Sequence, residues 1–501
     1  MGVSASAVSR VTGITVTPKN FNTGNAFMLP QRLTIIGQGN DDAVYSLEKY
    51  ECDGSAASVA ERYGYGSPLH LAALQLFPTA GAMATFPVSI VPVKKAETGF
   101  SPATGAVLVT GERATSAASV VLSIGGLDVQ LAVAKNATAS EVMASIVTAV
   151  NAEQDRCVSA SLVEATETTS ASVSLTARWS GALGNRISLA MSGDIPGLTV
   201  ALTAFAGGAG VPSVDAALAS IGEVVWETFI LDTFDYKNAD GSASPLLDVY
   251  QVWGEGRWST LEKKLVLVAH GCTDEYATRT AVTDSRPSDY VNFLIESVGS
   301  PELPFAVAAR GLLDIMTTAN SNPAQNYKGT LTGLKRGSDT VQESYTVRNQ
   351  SVMKGASTNI TSGSVAELND VITFFHPQGS GKFPMRRYVV DAVKLANIVY
   401  NLRLITESDE VKGAPLVPDE QVVSNPTAIQ PKMFRTWFTN LAVSLGAAAL
   451  ISDVDFTVKN ITVSIDSENP KRINYVFPVK VSGNVEVVSG DVFFGQYVQA
   501  A

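Results

Sequence analysis

Histidine is nearly missing from this chain: His70, His270 and His376 are the only three in 501 residues, and each stands alone. With no HExxH or comparable ligand spacing, a transition-metal centre is not expected. Cysteine is as scarce. Cys52, Cys157 and Cys272 are scattered, with no CxxC, which fits free thiols in a reducing compartment and excludes a disulfide framework. Charge is thin, at 17% of residues against roughly a quarter in ordinary soluble domains. The net charge is −11, and Lys and Arg never cluster beyond a pair. The basic face that a phosphate backbone requires is therefore missing, and nucleic acid is not an expected partner. Long apolar runs are also lacking. The longest mostly apolar stretch, LAVSLGAAALI at 441–451, has eleven residues, too few to cross a bilayer, so no membrane insertion is expected. The N-terminal MGVSASAVSRV has no apolar centre of a secretion signal. Its Gly2 and Ser6 fit the myristoylation pattern, which is short enough to match by chance.

What is present is length, with Ala, Ser, Thr and Val in abundance. A chain of 501 residues exceeds a single core and predicts several domains. Few charges suit a surface covered by neighbours, and equally a thrifty soluble protein.

The first ninety-odd residues predict short strands and one helix. RLTIIGQGN (32–40) reads as a strand closing on a glycine turn. Ser67 is a good N-cap, Pro68 a favoured first helical residue, and Pro78 a stop, with Leu69, Ala72, Ala73 and Leu76 as the apolar stripe. FPVSIVPV (86–93) reads as a strand with a proline-marked edge. Composition shifts near Lys94. Residues 99–211 are rich in Ser, Thr, Ala and Gly and strongly β-patterned, with five charged residues between Val158 and Val211. One helix interrupts them, announced by the capping box Thr138-x-x-Glu141. Short strands with frequent turns predict a small sandwich or barrel inserted into its host.

Residues 212–338 change character again. VPSVDAALASIG predicts a helix ending at Gly222. EVVWETFILD (223–232), KKLVLVAHG (263–271) and SDYVNFLIES (288–297) are continuous apolar runs, as expected of strands covered on both faces. Strands alternating with helices predict an α/β layer domain. From about Tyr345 short strands are expected, then helices over 386–405 and 433–451.

The C-terminus carries the strongest pattern. From Asp455 a long hairpin is expected: DFTVKNITVSI, the turn DSENPKR, then INYVFPVKVSGNVEVVSGDVFF. Ile473, Tyr475, Phe477, Val479, Val481, Val485 and Val487 share one parity, the period of a strand with one buried face. Pro478 marks an edge or a break. A long terminal edge strand is a liability unless something pairs with it. Two readings are open: the hairpin finishes its own domain, or it adds to the sheet of another copy. At the other terminus Val11–Thr17 alternates as VTGITVT, with Val11, Ile14 and Val16 as its apolar residues.

No set of residues adds up to an active site. GQG at 37–39 lacks the second half of a dinucleotide fingerprint, and Asp41 and Asp42 would oppose a pyrophosphate, so it reads as a turn. There is no GxxxxGK[ST]. Asp232 and Asp235 fall at a strand C-terminus, where α/β folds place functional groups, but nothing completes a phosphoryl-transfer site and a solvated acidic loop is expected. His270 and Cys272 are too close in sequence to favour nucleophilic activation. No enzyme activity, cofactor or metal is expected.

The order of segments resembles the tail sheath protein of contractile-tailed, Mu-like bacteriophages. The resemblance rests on GYGSPLHLAAL (64–74) opening a helix, on the inserted domain with TARWSGALGNRI (176–187), which is similar to a "K/RxxGxxGN" turn of that family, and on two late helices before a terminal hairpin. It covers essentially the whole chain and implies a mixed α/β, multidomain fold. A discontinuous α+β core would come from N- and C-terminal segments, with an inserted β-rich domain and an α/β layer domain. The expected division is an N-terminal arm (1–20), a first core segment (21–98), a β-sandwich-like insertion (99–211), an α/β domain (212–338), a second core segment (339–478) and a C-terminal arm strand (479–501). Val11, Ile14, Val16, Val479, Val481, Val485 and Val487 become the candidates for inter-subunit strands. The implied function is a non-enzymatic subunit of a virion tail, assembled in the host bacterial cytoplasm. It would polymerise as hexameric rings around a tail tube protein and meet baseplate and tail terminator proteins. Contraction from a metastable extended state would drive the tube through the host envelope. A bacteriocin sheath shares every one of these features; a β-rich surface or adhesion protein would need the export signal that this N-terminus lacks.

Overall fold

The computed structural model describes residues 26–165, 170–222, 224–377, 386–485 and 488–492. These fall into two compact units. One is Met28–Ala396 with the segment from Asn484, and the other is Asn397–Gly483 with the segment ending at Phe27.

The larger unit is organised by a six-stranded sheet in the order Asn292–Glu296, Leu267–Cys272, Phe229–Asp232, Leu33–Gln38, Val88–Val93, Tyr50–Glu51. Neighbours are parallel except for the short last pair. From the central strand 33–38 the chain first moves outward to 88–93. After the insertion it restarts on the other side at 229–232 and winds away, so the sheet is doubly wound. Every residue of the five parallel strands is buried, which is what continuous apolar runs require. On one face Ile36, Val91, Ile230 and Val268 pack against Leu218 and Ile221 of helix Asp215–Ile221 and Leu246 and Tyr250 of helix Pro245–Arg257. Each aliphatic side chain so covered contributes about 1.5–3 kcal/mol. The other face carries helix Pro304–Ser321. It lies so close that a Cβ on Gly271 would sit 1.7 Å from the Pro304 carbonyl oxygen.

This sheet revises the expected division of the chain. Segments 21–98 and 212–338 do not build separate sheets: Leu33 pairs with Phe229 and Ile36 with Asp232 in one ladder. Parallel pairing requires long crossovers, so a shift in composition locates the insertion and says nothing about which strands meet across it. Pro92 lies in the ladder opposite Gly37, but the strand on its outer side pairs only with Ser89 and Ile90. The proline therefore occupies a local edge, where its missing N–H is tolerated.

All strands of two further sheets lie between Pro102 and Ala206, in the orders 199–206, 102–110, 172–180, 158–163 and 127–133, 118–124, 189–192. Helix Ala139–Ala152 packs on them. Its capping box forms as the sequence predicts: the Thr138 amide donates to the Glu141 carboxylate at 2.8 Å, and the Glu141 amide donates to the Thr138 hydroxyl at 3.2 Å. Ser101 bridges Ala209, so the insertion enters and leaves the host at one place. The short strands expected from about Tyr345 begin only at Thr358. Ser344 caps helix Tyr345–Met353 instead, accepting from the Val347 amide, and the hairpin Thr358–Ser362/Val365–Asp370 follows.

The smaller unit contains the end of helix Val389–Thr406, helix Pro431–Ala447, helix Val454–Asn460 and the hairpin Thr462–Ile465/Ile473–Val476. The expected long hairpin is thus cut short at both ends. Asp453 accepts from the Phe456 amide at 2.9 Å and turns 454–460 into a helix, while the last strand stops two residues before Pro478.

Candidate functional site

The C-terminal hairpin is built from its turn outward. Asp466 accepts from the amides of Glu468 and Asn469 at 3.0 and 2.9 Å and from the Asn474 side chain at 2.8 Å. This Asx-type arrangement is the local alternative that Asp offers to a continuing strand. It sets the register Thr462↔Val476 through Ile465↔Ile473. The hairpin is held to helix 431–447 by aromatic packing: the Phe438 ring lies 4.9 Å from Tyr475 and 5.7 Å from Phe477. Val476 remains 57% exposed.

Past Pro478 the chain does not run free. The Ser452 amide donates to the Lys480 carbonyl at 2.8 Å, the Ser482 amide donates to the Leu450 carbonyl at 3.2 Å, and Ile451 bridges Val481. Lys480 Nζ lies 2.6 Å from Asp453. Val479 is half-buried, and both it and Val481 belong to the smaller unit. The arm expected from residue 479 therefore spends its first residues on its own subunit, because the break at Pro478 re-aims the strand onto 450–452. Val485 is 78% exposed, and Val488 and Val492 are each 86% exposed. Within the larger unit the Asn484 side chain is held by Lys394 Nζ at 2.6 Å and donates to the Ala324 carbonyl at 2.8 Å. Val11, Ile14, Val16 and Val487 lie outside the described residues.

The polar groups at the strand ends form a second constellation. Asp232 and His270 are fully buried and 3.1 Å apart, and His270 Nε2 is 3.0 Å from Asn292 Oδ1. Asn292 donates in turn to Asp289 at 2.7 Å and to the Leu247 carbonyl at 3.0 Å. Nε2 is thus committed to Asn292 on the neighbouring strand, while Nδ1 faces the Asp232 carboxylate without completing a hydrogen bond. Burial pushes the Cys272 thiol up to about 12, the reverse of nucleophile activation. The acidic loop expected at Asp232 and Asp235 is not solvated. Arg186, from the inserted block, reaches Asp235 at 3.3 Å and clamps Asp274 with two bonds of 2.9 and 2.8 Å. Burial raises the Asp235 carboxyl against the opposing charges of Arg186 and Lys237. Burial also pushes Asp274 up, but the Arg186 hydrogen bonds and charge outweigh it and hold that carboxyl below its ordinary value. Among the described residues no three His, Cys, Asp or Glu side chains converge as a metal site, and no helix is long and apolar enough to cross a membrane.

Sequence reasoning missed this Arg186 clamp, although its signal was in TARWSGALGNRI. Gly184 is needed because a Cβ there would lie 2.8 Å from the Ala103 side chain. Asn185 grips the Gly208 backbone from both sides, at 2.8 and 2.9 Å. These contacts fix the turn that aims Arg186. GYGSPL has a matching explanation. A Cβ on Gly66 would fall 2.0 Å from the Arg156 carbonyl oxygen, and the Gly66 amide donates to His70 at 3.0 Å. The glycines of GQG answer to packing as well. Gly37 lies inside its strand, where a Cβ would meet the Thr233 hydroxyl at 2.5 Å, so the turn reading does not hold there.

No family model matches the chain. Among curated proteins it is similar to the Mu-like prophage FluMu tail sheath protein of Haemophilus influenzae, with 24% identity over 397 residues, 78% of each chain. Among solved structures it is similar to a sheath tail protein from Desulfitobacterium hafniense, at 12% identity and TM-score 0.46, covering 94% of this chain and 99% of that one. It is also similar to one from Listeria innocua, at 10% identity and TM-score 0.47, covering 92% and 94%.

Proposed function

We propose that this chain is a structural subunit of a contractile phage tail sheath. The similarity to the Haemophilus tail sheath protein over 78% of both chains carries the reading. The chain polymerises as stacked hexameric rings around a tail tube, in contact with baseplate and terminator proteins, and the polymer forms in the host cytoplasm. Head-to-tail contacts that close make each ring, and the contacts from ring to ring propagate without closing, which makes a helical polymer. The sheath assembles in an extended, kinetically trapped state, and the baseplate releases it. Each subunit then moves to a contact set of lower free energy. The work comes from the sum over many copies and calls for no bound cofactor. The exposed Val485, Val488 and Val492 support a terminal segment that is covered on assembly, since lone valines are common on surfaces but a run of them beyond the last strand is suited to strand addition. Negative-stain microscopy of the purified protein tests the reading. Striated tubes or rings are expected; a monodisperse monomer at every concentration and salt would overturn it.

A further inference from the structure

Lys394 sits on helix 389–406 with its side chain fully buried. A buried ammonium persists only where partners compensate it. Two of them stand at bonding distance. Asp391, one helical turn earlier, has its Oδ1 at 3.2 Å from Nζ. Asn484, 90 residues further along the chain, accepts from Nζ through its Oδ1 at 2.6 Å. All three residues belong to the larger unit.

This trio has the parts of an acyl transfer. An amine faces an amide carbonyl, and a carboxylate touches the amine. The Asn484 amide is held in place, because its Nδ2 donates to the Ala324 carbonyl at 2.8 Å. A C=O bond of about 1.23 Å puts its Cγ no more than about 3.8 Å from Nζ, just outside the roughly 3–3.5 Å of a near-attack geometry. Burial raises the Asp391 carboxyl above its ordinary value, against the pull of Lys394, so a proton on Lys394 has a ready acceptor. The surroundings are apolar. Val390 and Val393 neighbour Lys394 on its helix, Tyr327 lies near enough for the Asp391 charge to bear on its hydroxyl, and all three are buried. Passing a proton from the ammonium to the carboxylate leaves both groups neutral, which such surroundings favour.

We propose that Lys394 and Asn484 join in an intramolecular isopeptide bond, with Asp391 as the proton carrier. Asp391 takes one proton from the Lys394 ammonium, and the freed lone pair on Nζ attacks Cγ of Asn484. Asp391 returns that proton to Nδ2 and takes a second from Nζ as the Cγ–Nδ2 bond breaks. Ammonia leaves and recovers the second proton from Asp391 as ammonium. One C–N bond replaces another, nothing is oxidised or reduced, and the carboxylate is regenerated. The two joined residues stand just before and just after residues 397–483 of the smaller unit. The bond therefore closes the chain around that stretch and restricts its unfolded state. Tension applied to the C-terminal segment passes from Asn484 straight to helix 389–406, without loading the chain between. None of this depends on the sheath reading.

Mass spectrometry of the full chain tests it without any substitution. The intact folded protein is expected to be lighter than its sequence by one ammonia. Trypsin should release a branched peptide in which residues 388–403, uncut at Lys394, are joined to residues 481–501, and reductant should leave it intact. A chain of full mass after prolonged incubation overturns the proposal and leaves Lys394 as a buried hydrogen-bond donor. Loss of ammonia without the branched peptide overturns it as well, since a succinimide elsewhere gives the same mass. In a cell-free synthesis followed over time, K394R and N484A should give no branched peptide. D391N should slow its appearance by about a hundredfold or more; linking at the wild-type rate in D391N would overturn the proton path.

Discussion

Arg186 is the residue whose loss should be felt most sharply. Its guanidinium is 17% exposed and faces the half-desolvated carboxylates Asp235 and Asp274, which are 13% and 15% exposed. Removing one partner of a buried pair leaves the other charge uncompensated, at about 3–5 kcal/mol. Arg186→Met should therefore lower the unfolding free energy by about that amount in a denaturant titration, and adding Asp274→Asn should restore some of it. If the double variant is no more stable than the single one, the clamp is not an electrostatic unit. The hairpin carries a pH dependence of its own. The hydrogen bond from Lys480, followed by that from the Phe456 amide, holds the Asp453 carboxyl below its ordinary value. Hydrogen bonds from the Asn474 side chain and the 468–469 amides do the same for Asp466. A depressed folded-state value stabilises above the unfolded carboxylate range and is lost as pH falls through the folded value. Hydrogen-exchange protection of peptides from 450–482, corrected for intrinsic rates, should hold from neutral pH down to the ordinary carboxylate range, about pH 4, and drop below it. Protection that holds unchanged would mean these carboxylates do not tie the hairpin.

At the scale of elements, the structure moves the place where an arm can begin. Residues 480–482 pair with 450–452 in their own subunit, so deleting from 479 removes a piece of the smaller unit's fold. Deleting from 485 removes the exposed valines and leaves that ladder in place. The shorter deletion should keep the full-length melting temperature and abolish tubes, while the longer one should also lower the melting temperature. Tubes from the shorter variant would show that the C-terminal segment does not link subunits. The insertion is separable for a related reason: Ser101 and Ala209 are bridged neighbours, so a short Gly/Ser linker can replace 102–208 without stretching the host. Its removal orphans Asp235 and Asp274, so both should be changed to Asn in the same variant. That protein is expected to fold and still form tubes. Folded protein without tubes would place the insertion in the lattice.

Taken whole, the molecule uses its doubly wound sheet as a scaffold. The strand C-termini, where such sheets often bind nucleotides, carry Asp232, Asp235 and Asp274, with Arg186 paired to the last two and His270 lying 3.1 Å from Asp232. A polyphosphate would have to break those pairs and face the acids. Calorimetry with ATP should show no binding in the micromolar range; a micromolar affinity would mean that this end of the sheet is a ligand site.

Local rules were legible in the sequence wherever the determinant was local. Ser67 with Pro68 and Thr138 with Glu141 cap helices where capping chemistry places them, and the apolar runs 223–232, 263–271 and 288–297 each hold a strand, which starts four to six residues after the run does. The break in pairing at Pro478 was legible for the same reason, since a missing donor needs no partner to be known. The similarity to tail sheath proteins was legible as well, in the order of segments and in two glycine-rich turns. Tertiary structure alone decided which strands share a sheet, because a parallel ladder joins residues such as Leu33 and Phe229 across nearly two hundred positions of chain, and no periodicity encodes that pairing. It decided that the acids after strand 229–232 are clamped and not solvated, because their partner Arg186 arrives from the insertion. It also decided that Val481 stays at home while Val485 is exposed: alternation assigns a side chain to a face, and only the packed chain shows what lies against that face.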